Sequence, residues 1–211
     1  MTGKHLVTIN RQYGSNGDKV GRILAEKLGF AFYDKELIAL AAKDSGFTET
    51  IFENADEKPS NSLLYSIVTG SYNPRSWFVG NMDMLTNDTL FNIQADVIRS
   101  LSDHSCVIVG RCADFILRDM PELLTVFIHS SFANRVEYAR TERPSMTTKE
   151  LEAYVRKQDK SRTSYYSYYA NRPWDVASNY DLAIDIDKFG VDGAVSIITS
   201  ALEIKDRDQT K

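Results

Sequence analysis

Cysteine is scarce in this chain of 211 residues: only Cys106 and Cys112 occur, too few for a disulfide framework. Both flank an apolar run, which predicts buried thiols in a reducing compartment. The three histidines, His5, His104 and His129, have neither ligand spacing nor a nearby Ser or Cys partner, which argues against a metal centre or a catalytic triad. No apolar run approaches the roughly 20 residues that cross a bilayer, and Met1–Lys4 does not read as a signal peptide, so a cytoplasmic protein without a membrane partner is expected. Excess positive charge is also missing. With 25 Lys+Arg against 29 Asp+Glu the net charge is −4, which gives no overall attraction to nucleic acid or to an anionic surface. Any phosphate chemistry must therefore come from local clusters of Lys and Arg. Internal repeats, low-complexity tracts and like-charge blocks are absent as well.

What is present is ordinary globular chemistry, 43% apolar and 26% charged, at a length suited to one domain over 1–211. Short apolar runs at His5–Asn10, Phe30–Tyr33, Cys106–Gly110, Leu124–His129 and Leu182–Ile186 alternate with helical periodicity. That alternation predicts βαβ units and an α/β fold with a five-stranded parallel sheet between two helical layers. The runs at 107–109 and 126–128 are apolar at every position, as strands covered on both faces are. Helices are expected at Lys19–Leu28, Lys35–Lys43, Asp88–Leu101, Phe132–Thr141, Thr148–Tyr169 and Val191–Leu202, the fifth with a Thr147/Glu150 capping box. Pro59, Gly70, Pro74 and Gly80 break the pattern between Ala55 and Thr86, which suggests an insertion. Its aromatics Tyr65, Tyr72, Trp77 and Phe78 either cap a small core or form a dimer surface. Lys205–Lys211 reads as a frayed polar end.

Ligands of such sheets bind outside the carboxyl ends of the strands, so the residues just after each run carry the interest. After the first run comes Gly14-Ser15-Asn16-Gly17-Asp18-Lys19, a turn entering a helix that exposes backbone N–H groups to a phosphate, or else a plain βα turn. It is not a regular Walker A loop, because Asp18 and Lys19 stand where Lys and Ser or Thr belong. Tyr33-Asp34 ends the second run, where Asp34 either meets a substrate or caps the following helix. Arg111, after the third run, is placed to fork onto a phosphate or to pair with Asp114 or another carboxylate. Arg135 and the helical set Arg156, Asp159 and Arg162 form the densest charged cluster, which is either an anion clamp or a solvated salt-bridge ladder. The run Tyr165–Tyr169 with Trp174 suits aromatic packing better than base stacking, and no basic stripe accompanies it, which argues against a nucleic-acid partner.

Taken together, Ile9–Gly17, Phe32–Ile38, Cys106–Asp114, Phe127–His129 with Arg135, and Asp159–Tyr166 leading to Trp174 and Tyr180–Ile184 resemble the cytidylate kinase-like family, a branch of the P-loop nucleoside monophosphate kinases. The resemblance implies a three-layer P-loop fold, a helical monophosphate-binding insertion roughly at 35–100 and an arginine-bearing lid roughly at 138–165. It implies ATP and Mg²⁺, with CMP or dCMP as acceptor. By the same resemblance Gly14, Ser15, Asn16, Gly17, Asp18 and Lys19 hold the donor nucleotide, Tyr33, Asp34 and Arg111 the acceptor, and Lys19, Arg135, Arg156 and Arg162 the transferring phosphoryl group, with Asp159 orienting the lid arginines. Ser15 is the candidate metal-side hydroxyl. Asn16 replaces a glycine usual in the family, and Asp18 sets negative charge beside the phosphates. The alternatives are a nucleotide-binding or sensing protein whose altered loop has lost transfer, and a kinase for another small metabolite. Oligomeric state is not legible.

Overall fold

The structure, a computed structural model, describes residues 3–34 and 87–209. The expected helix Lys35–Lys43, the irregular stretch 55–86 with its four aromatics and most of the 35–100 insertion lie outside the described residues. Within them run β1 (Leu6–Arg11), α1 (Gly17–Leu28), β2 (Ala31–Tyr33), α2 (Asn87–Leu101), β3 (Cys106–Val109) and α3 (Ala113–Ile116). Then follow β4 (Leu123–His129), α4 (Phe132–Glu142), α5 (Thr148–Ala170), a single 3₁₀ turn, β5 (Leu182–Asp185) and α6 (Ile186–Gln209).

The strands form one parallel sheet in the order β2-β3-β1-β4-β5. β1 lies at its centre, with Leu6 opposite Cys106 on one side and Leu123 on the other. Side chains of successive strand residues go to opposite faces. Val7, Ile9, Val107 and Val109 therefore pack with Val20 and Leu24 of α1 and Ile198 and Leu202 of α6. Leu6, Cys106 and Ile108 pack instead with Ile98 of α2, Ile116 of α3 and Tyr166 and Trp174. Continuous apolar strands are what two covered faces require. A third, smaller core joins α4 to α5 through Val136, Ala139, Leu151 and Val155, with Tyr13 against it.

Several boundaries differ from expectation. Helix α1 starts at Gly17, two residues early, because Asn16 takes a left-handed conformation (φ 58°) and turns the chain directly into the helix. The short α3 has no periodicity from which to read it. The last helix begins at Ile186 and is broken at Gly190 (φ 63°, ψ 178°), so the expected start at Val191 is that of its long second part. The segment read as a frayed end continues that helix to Gln209, held by Lys205, whose ammonium donates to the Pro121 and Leu123 carbonyls. The capping box is present, with Thr147 Oγ1 accepting from the Glu150 amide and the Glu150 carboxylate accepting from the Thr147 amide at 2.7 Å. Both cysteines are free and buried, as expected, and burial pushes the Cys106 thiol up to about 11.

Candidate functional site

The sheet's carboxyl edge gathers the residues that matter. β1 ends in Asn10 and Arg11, then Gln12–Asn16 wrap into α1, with Gly14 (φ 77°) and Asn16 supplying the left-handed turns. Ser15 braces this loop from below. Its fully buried hydroxyl lies within hydrogen-bond distance of the Gln12 carbonyl (2.8 Å) and the Ile128 carbonyl (3.2 Å). Above it, Tyr13 packs edge-on against Tyr138 and Tyr154, and burial pushes its phenol up to about 12, with the two neighbouring tyrosines adding to the shift.

Helix α5 ties the loop down. Asp159 accepts the Tyr13 amide at 2.9 Å through one carboxylate oxygen and pairs closely with Arg135 of α4 through the other. Arg135 is only 6% exposed, so its guanidinium and the Asp159 carboxylate form a largely buried ion pair. Arg162, three residues on, donates instead to the Arg11 carbonyl at 2.9 Å. Arg156 is exposed and lies over the Phe132 ring, 4.1 Å from its centre. The expected Arg156–Asp159–Arg162 face is thus divided: one member joins the loop, one the strand end and one the outer surface.

Between β1 and β3 an open cleft is lined by Arg11, Arg111, Arg162, Asn10, Tyr165 and Trp174, among others. Three arginines from distant parts of the chain line it, and none of its lining residues among the described ones is a carboxylate. Gly110, Arg111 and Cys112 follow β3 with φ of 77°, 62° and 54°, a left-handed turn that two of them hold at a cost. The Gln94 amide steadies this turn by donating to the Arg111 carbonyl (3.3 Å) and the Tyr165 hydroxyl (3.2 Å). Beneath the cleft, Asp114 is 1% exposed and accepts from Asn10 (2.9 Å), Tyr166 (2.6 Å) and Arg172 (2.7 Å). This network satisfies the carboxylate and fixes the floor.

Arg11 crosses from loop to cleft. A Cβ at Gly17 would lie 2.4 Å from Arg11 Cβ, which leaves room for glycine alone, and one at Gly110, whose φ of 77° already favours glycine, would lie 2.6 Å from Arg11 Nη1. Its Nε donates to Asp18 at 2.8 Å, and Nη2 lies 4.0 Å from Asp34 at the end of β2. Tyr33 precedes Asp34, its phenol raised by burial. Lys19 is exposed on the first turn of α1, and no hydrogen bond or ion pair joins it to another described residue. Sequence reasoning missed Arg11, Asn10, Gln94 and Tyr165 as site residues. Arg11 had a signal, as the residue directly after the apolar run His5–Asn10. Tyr165 lies in the aromatic run read as packing, and Gln94 sits in a helical stretch where nothing marks it.

Among the described residues no group of three His, Cys, Asp or Glu side chains could hold a metal, and no helix is long and apolar enough to cross a membrane. A family model described as the cytidylate kinase-like family matches residues 6–188. A crystal structure of an uncharacterized protein from Eubacterium ventriosum ATCC 27560 is similar at a TM-score of 0.68 and 25% identity, covering 95% of this chain and 99% of that one. Shikimate kinase from Bacteroides thetaiotaomicron is similar at a TM-score of 0.55 and 14% identity, covering 95% and 99%. No curated protein matches the chain.

Proposed function

This chain belongs to the cytidylate kinase-like family, with a P-loop kinase fold, and we propose that it transfers the γ-phosphoryl group of ATP to a nucleoside monophosphate, CMP or dCMP. The observation that carries this reading is the cleft that Arg11, Arg111 and Arg162 line together, with no carboxylate among its described lining residues. Permanently charged forks at one carboxyl edge suit an acceptor that bears a phosphate more than one that bears only hydroxyls. The acceptor phosphate supplies its own nucleophilic oxygen, which bonds to the γ-phosphorus as the bond to the β,γ-bridging oxygen breaks. The protein therefore needs positioning and charge neutralisation, and no general base.

In this reading Gly14–Gly17 and the first turn of α1 hold the donor phosphates, Arg111 holds the acceptor phosphate with Tyr33 and Asp34 at its side, and Arg162 faces the group in transit. Arg135 and Asp159 position the loop, because their charges are spent on each other and on the Tyr13 amide. Arg156 would have to leave the Phe132 ring to reach the site, as a residue of a closing lid would over 138–165. When bound, Mg²⁺ neutralises phosphate charge. Asp34, at the end of β2 and 4.0 Å from Arg11, fits it in the usual manner, with one carboxylate and the nucleotide's own oxygens. Ser15 fits it less well, because its buried hydroxyl already faces two backbone carbonyls.

The deciding experiment measures ADP formation from Mg·ATP with CMP, dCMP, UMP, AMP, GMP or no acceptor in one coupled assay. A rate that depends on CMP or dCMP is the expected result. Nucleotide binding without any acceptor-dependent rate would favour the second reading, a binder with a disabled loop, for which the Asp18–Arg11 ion pair at the phosphate site is the specific observation.

A further inference from the structure

The loop lacks the lysine that P-loop proteins use on the donor phosphates, and Asp18 stands in its place. We infer that Arg11 supplies the missing cation from the strand end below, and that Asp18 is its displaceable counter-ion, occupying the guanidinium until a phosphate takes over. This inference rests on the phosphate-binding part of the proposed function and extends it to a residue outside the loop.

Several observations agree. The Arg11 side chain is pinned along its length: its stem lies against Gly17, the first residue of α1, and its Nη1 lies at Gly110, the first residue after β3. It therefore spans the gap between the helix entry, where donor phosphates would sit, and the arginine-lined cleft for the acceptor. Arg162 adds to this by binding the Arg11 carbonyl, so a lid helix and the strand end are fixed to each other. The Arg11 side chain is only 12% exposed, whereas its partner Asp18 is 54% exposed on the first helical turn. Such an asymmetric pair can open cheaply on one side, because the aspartate swings into water while the arginine stays in place. The two-carboxylate surround of Asp18 and Asp34 gives Arg11 the partial neutralisation that an incoming phosphate would replace with a stronger, charge-assisted contact. Lys19 shows none of this placement: it is exposed, with no pairing among the described residues.

The test is titration calorimetry of the full chain with ADP and, separately, inorganic pyrophosphate, so that it reads donor-phosphate binding without requiring turnover. Arg11→Met keeps the apolar stem against Gly17 and removes the charge. It is expected to weaken ADP at least tenfold, Arg11→Lys to recover part of that loss, and Asp18→Asn to tighten both probes severalfold by removing the competitor. Lys19→Ala is expected to change Kd by less than about threefold. Melting curves report whether each variant is folded, and Asp18→Asn, which leaves Arg11 intact, keeps the test decisive if Arg11→Met unfolds. The inference is overturned if Arg11→Met binds like the parent, if Lys19→Ala loses as much as Arg11→Met, if Asp18→Asn weakens binding, or if the parent binds neither probe. Arginine-dependent ADP binding without transfer to CMP would sink the kinase reading alone. Transfer to CMP at the parental rate and ATP KM in Arg11→Met would sink only the inference.

Discussion

Arg111 sits in a backbone conformation that a non-glycine residue adopts at a cost of about 1 kcal/mol, directly beside Cys112 in the same strained state. Strain of this kind persists where the surroundings impose it, and here the Gln94 amide on the Arg111 carbonyl is part of what imposes it. The turn sets Arg111 among the residues that line the cleft. A hydrogen bond to a charged group contributes about 1.5–3 kcal/mol, so Arg111→Ala is expected to raise the acceptor KM by roughly ten- to a hundredfold. The KM for ATP should change little. Steady-state kinetics with each substrate varied in turn separates the two, and an increase confined to the ATP KM would move Arg111 to the donor side. The sequence marked Arg111 because it follows an unmistakable strand. Arg11 follows the first run in the same way, but its further importance comes from Gly110 and Asp34, brought to it by folding.

At the scale of elements, α5 couples two parts of the site through residues one turn apart. Asp159 grips the loop and Arg162 grips the end of β1, so a shift of this helix moves both. Replacing Asp159 by Asn keeps the shape but leaves the 6%-exposed Arg135 without its counter-charge and the Tyr13 amide with a weaker acceptor. Breaking a pair this buried costs about 3 kcal/mol, which lowers the melting temperature of a chain of this size by roughly 6–12 °C. The double variant Arg135→Met/Asp159→Met should recover much of that loss in a double-mutant cycle, whereas strictly additive losses would mean that the two charges act independently. The strands of this frame were legible because runs such as Cys106–Val109 are apolar on both faces. The division of Arg156, Asp159 and Arg162 was not. Helical spacing gives their common side, but Phe132, Tyr13 and Arg11, the partners that separate them, come from other elements.

For the whole molecule, the buried tyrosines tie stability to alkaline pH. Burial pushes Tyr13 up to about 12, and burial is likewise the leading cause of the raised values of Tyr165, Tyr166, Tyr169 and Tyr180. In the unfolded chain these phenols titrate near 10. Between about pH 10 and 12 the unfolded chain therefore binds fewer protons than the folded one, and stability falls with rising pH by about 1.4 kcal/mol per pH unit for each such group. The stabilisation is fully present below pH 10 and is lost as pH rises through the folded values. The melting temperature should accordingly stay level from pH 8 to about 9.5 and decline steeply above 10, with phenolate absorbance from these residues appearing in step with loss of structure. Tyr13→Phe removes one of the groups and should make the decline shallower. Full phenolate absorbance near pH 10 in protein that still melts cooperatively would show that these hydroxyls meet solvent. That outcome would contradict the packing of Tyr166 over Asp114 and of Tyr165 against Gln94 that shapes the cleft.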